Sequence, residues 1–105
     1  MNWYRNLYIG KTFLQKKKKI RRMVEAQKAV PGLYLILLRT DTEHNQLEIV
    51  PQRCLAETIW DLSSAVILGI ACGKSEAKEL LVQMTEQVYA ETKTADLRRY
   101  FLARI

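Results

Sequence analysis

The sequence predicts an α+β fold, a single domain over residues 1–105 in which helices pack on a three- to four-stranded, largely antiparallel sheet as a two-layer sandwich. Two continuous apolar runs, Leu33–Leu38 and Ala65–Cys72, have the length and composition of strands that are covered on both faces. Helical periodicity precedes the first run and follows the second, which predicts a basic N-terminal helix and one or two C-terminal helices, on one or both faces of the sheet.

The first half of the chain is predicted to hold a short strand, a helix and a hairpin. Tyr8–Gly10 has the composition of a strand, and residues 12–29 follow a helical period that Pro31-Gly32 should end. The apolar face of this helix carries Phe13, Ile20, Val24 and Gln27. Leu47–Val50, closed by Pro51, is expected to pair antiparallel with Leu33–Leu38 across a polar loop of hairpin length.

The second half is predicted to hold the last strand and the C-terminal helices. Residues 54–62 have the spacing of a short helix, Ser75 is expected to cap a helix over residues 76–91, and Thr94 with Asp96 to cap a final helix. Because both apolar strands need cover on two faces, we expect a core that includes Leu35, Ile36, Leu68, Ile70, Leu81, Met84 and Phe101.

Composition indicates a soluble cytoplasmic protein. The two cysteines, Cys54 and Cys72, are far apart in the sequence and form no CxxC pair, which favours reduced thiols in an intracellular compartment. No apolar run approaches the roughly 20 residues of a membrane helix. The first residues also lack the apolar core of a signal peptide.

Charge is distributed very unevenly along the chain. Residues 1–40 contain ten of the seventeen Lys and Arg and a single acid, Glu25, whereas residues 41–105 are net acidic. A one-sided positive field attracts phosphates, so we expect the basic helix to bind nucleic acid or another polyanion without base readout. The residues expected to make these contacts are Lys16, Lys17, Lys18, Lys19, Arg21, Arg22 and Lys28.

Two alternatives to a phosphate-binding helix remain open at this point. Charged helix faces are most often simply solvated, and the protein would then be an interaction or oligomerisation module, for example a homodimer. Separately, Gly73, Lys74 and Ser75 lie between a strand and a helix and could hold a single anion. They do not complete a P-loop, because only three residues separate Gly69 from Gly73.

No pattern in the sequence indicates a catalytic, metal or cofactor site. His44 is the only histidine, and its spacing from Asp41 and Glu43 matches no defined metal site. Nucleophile-elbow and HExxH motifs are absent from the sequence. We therefore expect a protein that is not an enzyme and that uses no cofactor.

The chain resembles known families in two ways. Two segments resemble the two halves of the GIY-YIG endonuclease motif, but in reversed order. They are Tyr8-Ile9-Gly10-Lys11-Thr12, followed by Arg21 or Arg22, and Pro31-Gly32-Leu33-Tyr34-Leu35-Ile36. The metal-binding glutamate of that family has no counterpart, so we interpret this match as coincidental. Along its whole length, from Tyr8-Ile9-Gly10 through the lysine run to Arg98-Arg99-Tyr100-Phe101, the chain resembles small basic bacterial α+β proteins of unknown function.

Overall fold

The described part of the chain forms a mixed four-stranded sheet with helices on both of its faces. A computed structural model describes residues 2–40, 47–53 and 65–105. Its elements are β1 (Asn2–Ile9), a 3-10 helix (Lys11–Phe13), α1 (Lys17–Glu25), β2 (Leu33–Arg39), β3 (Glu48–Pro51), β4 (Ala65–Cys72), α2 (Gly73–Thr92) and α3 (Leu97–Leu102). The strand order is β1-β4-β2-β3. The predicted α+β fold class is confirmed, but helices on both faces give three layers in place of the predicted two-layer sandwich.

Pairing in the sheet is antiparallel between β2 and each of its neighbours and parallel between β1 and β4. The predicted hairpin is therefore confirmed, with Leu35 opposite Val50. The central strands β4 and β2 read as continuous apolar runs because each is covered on both faces.

Side chains of β2 and β4 point to both faces of the sheet and pack into two separate apolar clusters, one on each face. Ile20 and Val24 of α1 pack on the first face, against Leu33, Leu35, Leu37 and Ile70 among others. On the second face α2 and α3 pack against the sheet in a cluster that includes Ile36, Leu38, Leu68, Ala77, Leu80, Met84, Val88 and Phe101. The lysine-rich α1 is thus the only α-helix on its face within the described residues.

The core prediction is confirmed except at one position. Six of the seven named residues are fully buried: Leu35, Ile36, Leu68, Ile70, Met84 and Phe101. Leu81 is only half-buried and packs at the margin of the second cluster. It lies on α2 about 100° around the helix from Leu80, and it is Leu80 that faces the centre of the cluster.

The predicted first strand was too short. β1 begins at Asn2 and not at Tyr8, and its register against β4 shifts between Trp3 and Tyr8. Arg5 and Asn6 in the middle of the strand are both exposed, so the side chains do not alternate regularly between the faces. That irregularity removed the period-2 pattern by which a strand is recognised.

The predicted N-terminal helix was too long at both ends. Phe13 is buried as expected but belongs to the 3-10 helix, and α1 ends at Glu25 before Pro31-Gly32 is reached. Gln27 takes a left-handed conformation with φ 58°, its N–H bonds to Val24 O, and the Lys28 N–H bonds to Met23 O. This is a Schellman ending with glutamine where glycine is usual, so composition did not indicate it.

Of the C-terminal helices, α2 differs from prediction at its start and α3 is capped as predicted by Asp96. α2 begins at Gly73, with Cys72 and not Ser75 at the N-cap position. Asp96 caps α3 as expected, since its Oδ1 accepts the Arg99 N–H at 3.1 Å. Cys72 is a free, half-buried thiol. Cys54, His44 and the possible helix over residues 54–62 lie outside the described residues.

An aromatic cluster fixes α3 to the sheet and to α2. The Phe101 ring makes edge-to-face contacts with Tyr4, Tyr8 and Tyr100, at centroid distances of 5.0 to 5.8 Å. The Tyr100 hydroxyl donates to the Glu91 carboxylate on α2, and this hydrogen bond raises the pKa of Tyr100 to about 12, with burial as the next cause. No helix in the described ranges is long and apolar enough to cross a membrane.

Candidate nucleic-acid interface

The outer side of α1 presents a group of exposed positive charges. Ile20 and Val24 point into the sheet, each 2% exposed, so the helical period directs Lys18, Lys19 and Arg22 to solvent. Among the residues that the structure describes, no carboxylate pairs with these three side chains. We call Lys18, Lys19 and Arg22 the basic face.

The other predicted contact residues in this segment differ in exposure and in the contacts that their side chains make within the protein. Arg21 pairs with Glu25 at 3.3 Å, and its guanidinium lies over the Trp3 ring at 5.3 Å from the centroid. Lys17 is half-buried, as expected for a lysine whose stem crosses an apolar stripe, whereas Lys16 is exposed at the N-cap position. Arg21 is therefore partly committed to contacts within the protein.

Local interactions along α1 oppose helix formation. The helix has nine residues, no side-chain hydrogen bond at its N-cap and no acid in its first turn. Cations at a helix N-terminus are unfavourable, and the like-charge pairs three and four residues apart each cost about 0.2–0.5 kcal/mol. Isolated helices of this length are marginal, so the burial of Ile20 and Val24 must hold α1 in place.

Lys28 follows α1 and is positioned by a side chain from the segment that ends β3. The Gln52 amide donates to Lys28 O at 2.7 Å and accepts from the Val30 N–H at 2.7 Å. The Lys28 side chain is exposed. This clamp attaches the segment after α1 to the end of β3, where Arg53 is also exposed.

The alternative anion site at Gly73, Lys74 and Ser75 already has a carboxylate beside it. Glu76 accepts the Cys72 N–H, the Thr12 N–H at 3.1 Å and the Thr12 hydroxyl at 2.7 Å. An external anion at this helix end would approach that negative charge, which weighs against the single-anion interpretation. Lys74 and Ser75 themselves are exposed.

Gly10 allows Glu76 to bind in this way. A Cβ atom at Gly10 would lie 2.7 Å from a Glu76 carboxylate oxygen and 3.1 Å from the Ala71 side chain. Any other residue would therefore displace the carboxylate. The sequence reasoning missed this contact, because Gly10 and Glu76 come together only through the parallel pairing of β1 and β4.

The Glu76 contacts predict a dependence of stability on pH. Burial acts to raise the pKa of Glu76, but the hydrogen bonds from Thr12 and Cys72 and the charge of Lys11 outweigh it and lower the pKa below its ordinary value of 4.5. A lowered pKa stabilises the fold above pH 4.5, and this contribution is lost as pH falls through the folded-state value. We expect Glu76→Gln to lower the unfolding temperature at pH 7 and to lower it less at pH 3, measured by circular dichroism. An equal effect at both pH values would contradict this account.

Other charged residues lie away from the basic face. Arg39, at the opposite end of β2, pairs with Glu48 through two contacts of 3.1 Å and its carbonyl accepts from Arg98. Lys11 lines a groove of about 300 Å³ with Glu76 and Glu79. Neither extends the positive surface of α1.

Two open grooves beside β1 were not expected from the sequence. One of about 570 Å³ is lined by polar and aromatic residues that include Arg5, Tyr8, Glu91 and Arg104, and one of about 490 Å³ shares Arg5 and Arg104 with it. Tyr8 donates to Gln87 there at 2.9 Å. In the parts of the chain that the structure describes, no three His, Cys, Asp or Glu residues are placed to hold a metal ion.

Comparisons with known proteins add no family assignment. No protein-family model matches the chain, and neither a curated protein nor a solved structure is significantly similar to it. The resemblance to small basic bacterial proteins stays a prediction. Functional inference therefore depends on the chemistry of the surface itself.

Proposed function

We propose that this protein is a non-catalytic nucleic-acid-binding protein whose basic face contacts backbone phosphates. The observation that carries the proposal is the set of exposed cations on α1 that lack a carboxylate partner among the described residues. Cations of this kind release condensed counterions when they neutralise phosphates, which supplies affinity for any sequence.

The energetics of α1 support a function for these charges. A helix under selection for stability alone would place acids in its first turn and alternate its charges. α1 does neither, and its charges repel one another without contributing to the core. Conflicts between local and global preference are expected mainly at functional sites. A bound phosphate backbone would offset this repulsion, because each cation would be attracted to the negatively charged phosphates.

The chemistry of the face predicts binding without base recognition. No Asn or Gln lies among the cations of Lys16–Arg22, so the amide side chains that read adenine are missing from this segment. Backbone contacts alone position a protein on a duplex but carry no sequence information.

We also propose a cytoplasmic location, where nucleic acids are abundant and thiols stay reduced.

The interaction-module alternative is less well supported by the described residues. β1 lies at an edge of the sheet, where a second copy could pair. However, Arg5 is exposed in the middle of that strand, and a charged residue on an edge strand discourages pairing between copies. The basic face remains the surface with the clearest chemical preference.

A salt titration tests the proposal. We expect the protein to bind duplex DNA and duplex RNA of unrelated sequences with similar affinity, measured by fluorescence anisotropy. The logarithm of the affinity should fall linearly with the logarithm of salt concentration, with a slope equivalent to about three to five neutralised phosphates. Absence of binding to every nucleic acid at about 50 mM salt would contradict the proposal and favour the interaction module. Binding to heparin alone would assign the face to a different polyanion.

A further inference from the structure

A second group of cations meets at one end of the sheet. Leu33 at the start of β2 lies opposite Cys72 at the end of β4, and Pro51 at the end of β3 lies opposite Tyr34. The segments that leave these strand ends carry three exposed cations from three different parts of the chain, Lys28, Arg53 and Lys74. We call these three residues the basic edge.

Hydrogen bonds at the strand ends hold the segments of the basic edge together. The Gly73 N–H donates to Gly32 O at 2.7 Å, which places Lys74 beside the turn before β2. The Gln52 side chain bonds to both Lys28 O and the Val30 N–H at 2.7 Å, which places Arg53 beside the segment after α1. The segment over residues 26–32 therefore connects the basic face to both cations.

Within the described residues, carboxylates neutralise little of the positive charge of the basic edge. The side chains of Lys28, Arg53 and Lys74 have no ion pair or hydrogen bond there. The nearest carboxylate along the chain, Glu76, disfavours an anion on the backbone N–H groups at the start of α2, but it accepts from Cys72 and Thr12 and makes no ion pair with the Lys74 side chain. Lys11 is excluded from the basic edge because it lies with Glu76 and Glu79 in the groove beside α2.

The spacing of the strands suits a nucleic-acid backbone. β4 and β3 are separated by two strand intervals, so their ends lie roughly 10 Å apart. One strand of a duplex presents a phosphate about every 3.4 Å along the helix axis, so long side chains that leave these strand ends can reach different phosphates of one backbone.

We propose that the basic edge is a second set of phosphate contacts on the same nucleic acid. The backbone runs from the basic face, over residues 26–32, to the end of the sheet between Lys74 and Arg53. This inference rests on the proposed function of α1 and extends it, because it assigns Arg53 and Lys74 to the same ligand. The site is then a surface built from α1 and three strand ends, and not a single helix.

The test replaces Lys28, Arg53 and Lys74 together by glutamine and measures binding of a DNA duplex of about 20 base pairs as a function of salt. We expect the salt slope to flatten by about 0.9 for each phosphate no longer neutralised, and the affinity to fall at least about tenfold at about 0.1 M salt. The unfolding temperature should stay unchanged or rise slightly, since removing Lys74 takes a positive charge from the first turn of α2.

A matched control separates this effect from a change in net charge. Replacing Lys78, Lys93 and Arg99 by glutamine removes the same charge from exposed positions on or after α2 and on α3. The inference is overturned if the basic-edge variant keeps the slope and affinity of this control while the wild-type protein binds. Absence of binding by the wild-type protein would instead refute the proposed function, so the two failures are distinguishable.

Discussion

Replacing Lys18, Lys19 and Arg22 by glutamine is expected to abolish most nucleic-acid binding and to make the protein more stable. Each of the three side chains is exposed on the outer side of α1. With three fewer phosphates neutralised, the salt slope should flatten by about 2.7, and the affinity should fall by roughly one to two orders of magnitude or more at about 0.1 M salt, for every sequence tested.

The gain in stability follows from the same charges. The substitutions remove like-charge pairs such as Lys18 with Arg22, four residues apart, at about 0.2–0.5 kcal/mol per pair. They leave Ile20 and Val24 in the core. Thermal unfolding followed by circular dichroism should therefore show an equal or higher midpoint for the variant in the absence of nucleic acid.

The glutamine variant of Lys78, Lys93 and Arg99 again controls for net charge. It should lose only the weak, long-range part of the attraction, because these residues lie on the other side of the sheet from α1 or beyond α2. Equal weakening by both variants would show that binding depends on net charge and not on α1. Unchanged binding by the α1 variant would place the interface elsewhere.

Phe101→Ala is expected to be the most destabilising single substitution among the aromatic residues of the second cluster. The Phe101 side chain is fully buried and touches three tyrosine rings. Truncating a buried phenylalanine costs about 3–5 kcal/mol, because buried apolar volume is removed and the surroundings collapse only in part. That is a large share of the roughly 5–15 kcal/mol that stabilises a typical domain.

Urea denaturation followed by circular dichroism measures this destabilisation. The neighbouring Leu102 is 39% exposed, so Leu102→Ala provides a control in the same helix and should cost much less. If both variants had the same denaturation midpoint, α3 would not be packed on the sheet as described. Phe101→Leu should lie between the two, since it retains part of the buried volume.

Much of the fold followed from local patterns in the sequence. The runs Leu33–Leu38 and Ala65–Cys72 indicated buried strands because a strand with cover on both faces has no polar side. The buried face of α2 was indicated by apolar residues at helical spacing, among them Ala77, Leu80, Met84 and Val88. β1 was mostly missed because the register shift between Trp3 and Tyr8 breaks the alternation that marks a strand.

For the candidate site as well, the sequence indicated some features and not others. Sequence alone determined that the N-terminal part of the chain is strongly basic and that a helix there carries the charges, because both properties depend only on composition and on spacing within a few residues. It could not indicate that α1 stops at Glu25, since a glutamine in the left-handed conformation completes the Schellman ending there.

Tertiary structure decided which cations share a surface. Nothing in the sequence distinguishes Arg39 from Arg53. Arg39, however, lies at the far end of β2 and pairs with Glu48, whereas Arg53 lies at the same end of the sheet as Lys28 and Lys74. The engagement of Glu76 by Thr12 likewise joins residues 64 positions apart. These placements depend on strand pairing between distant segments, and no local pattern in a single sequence specifies that pairing.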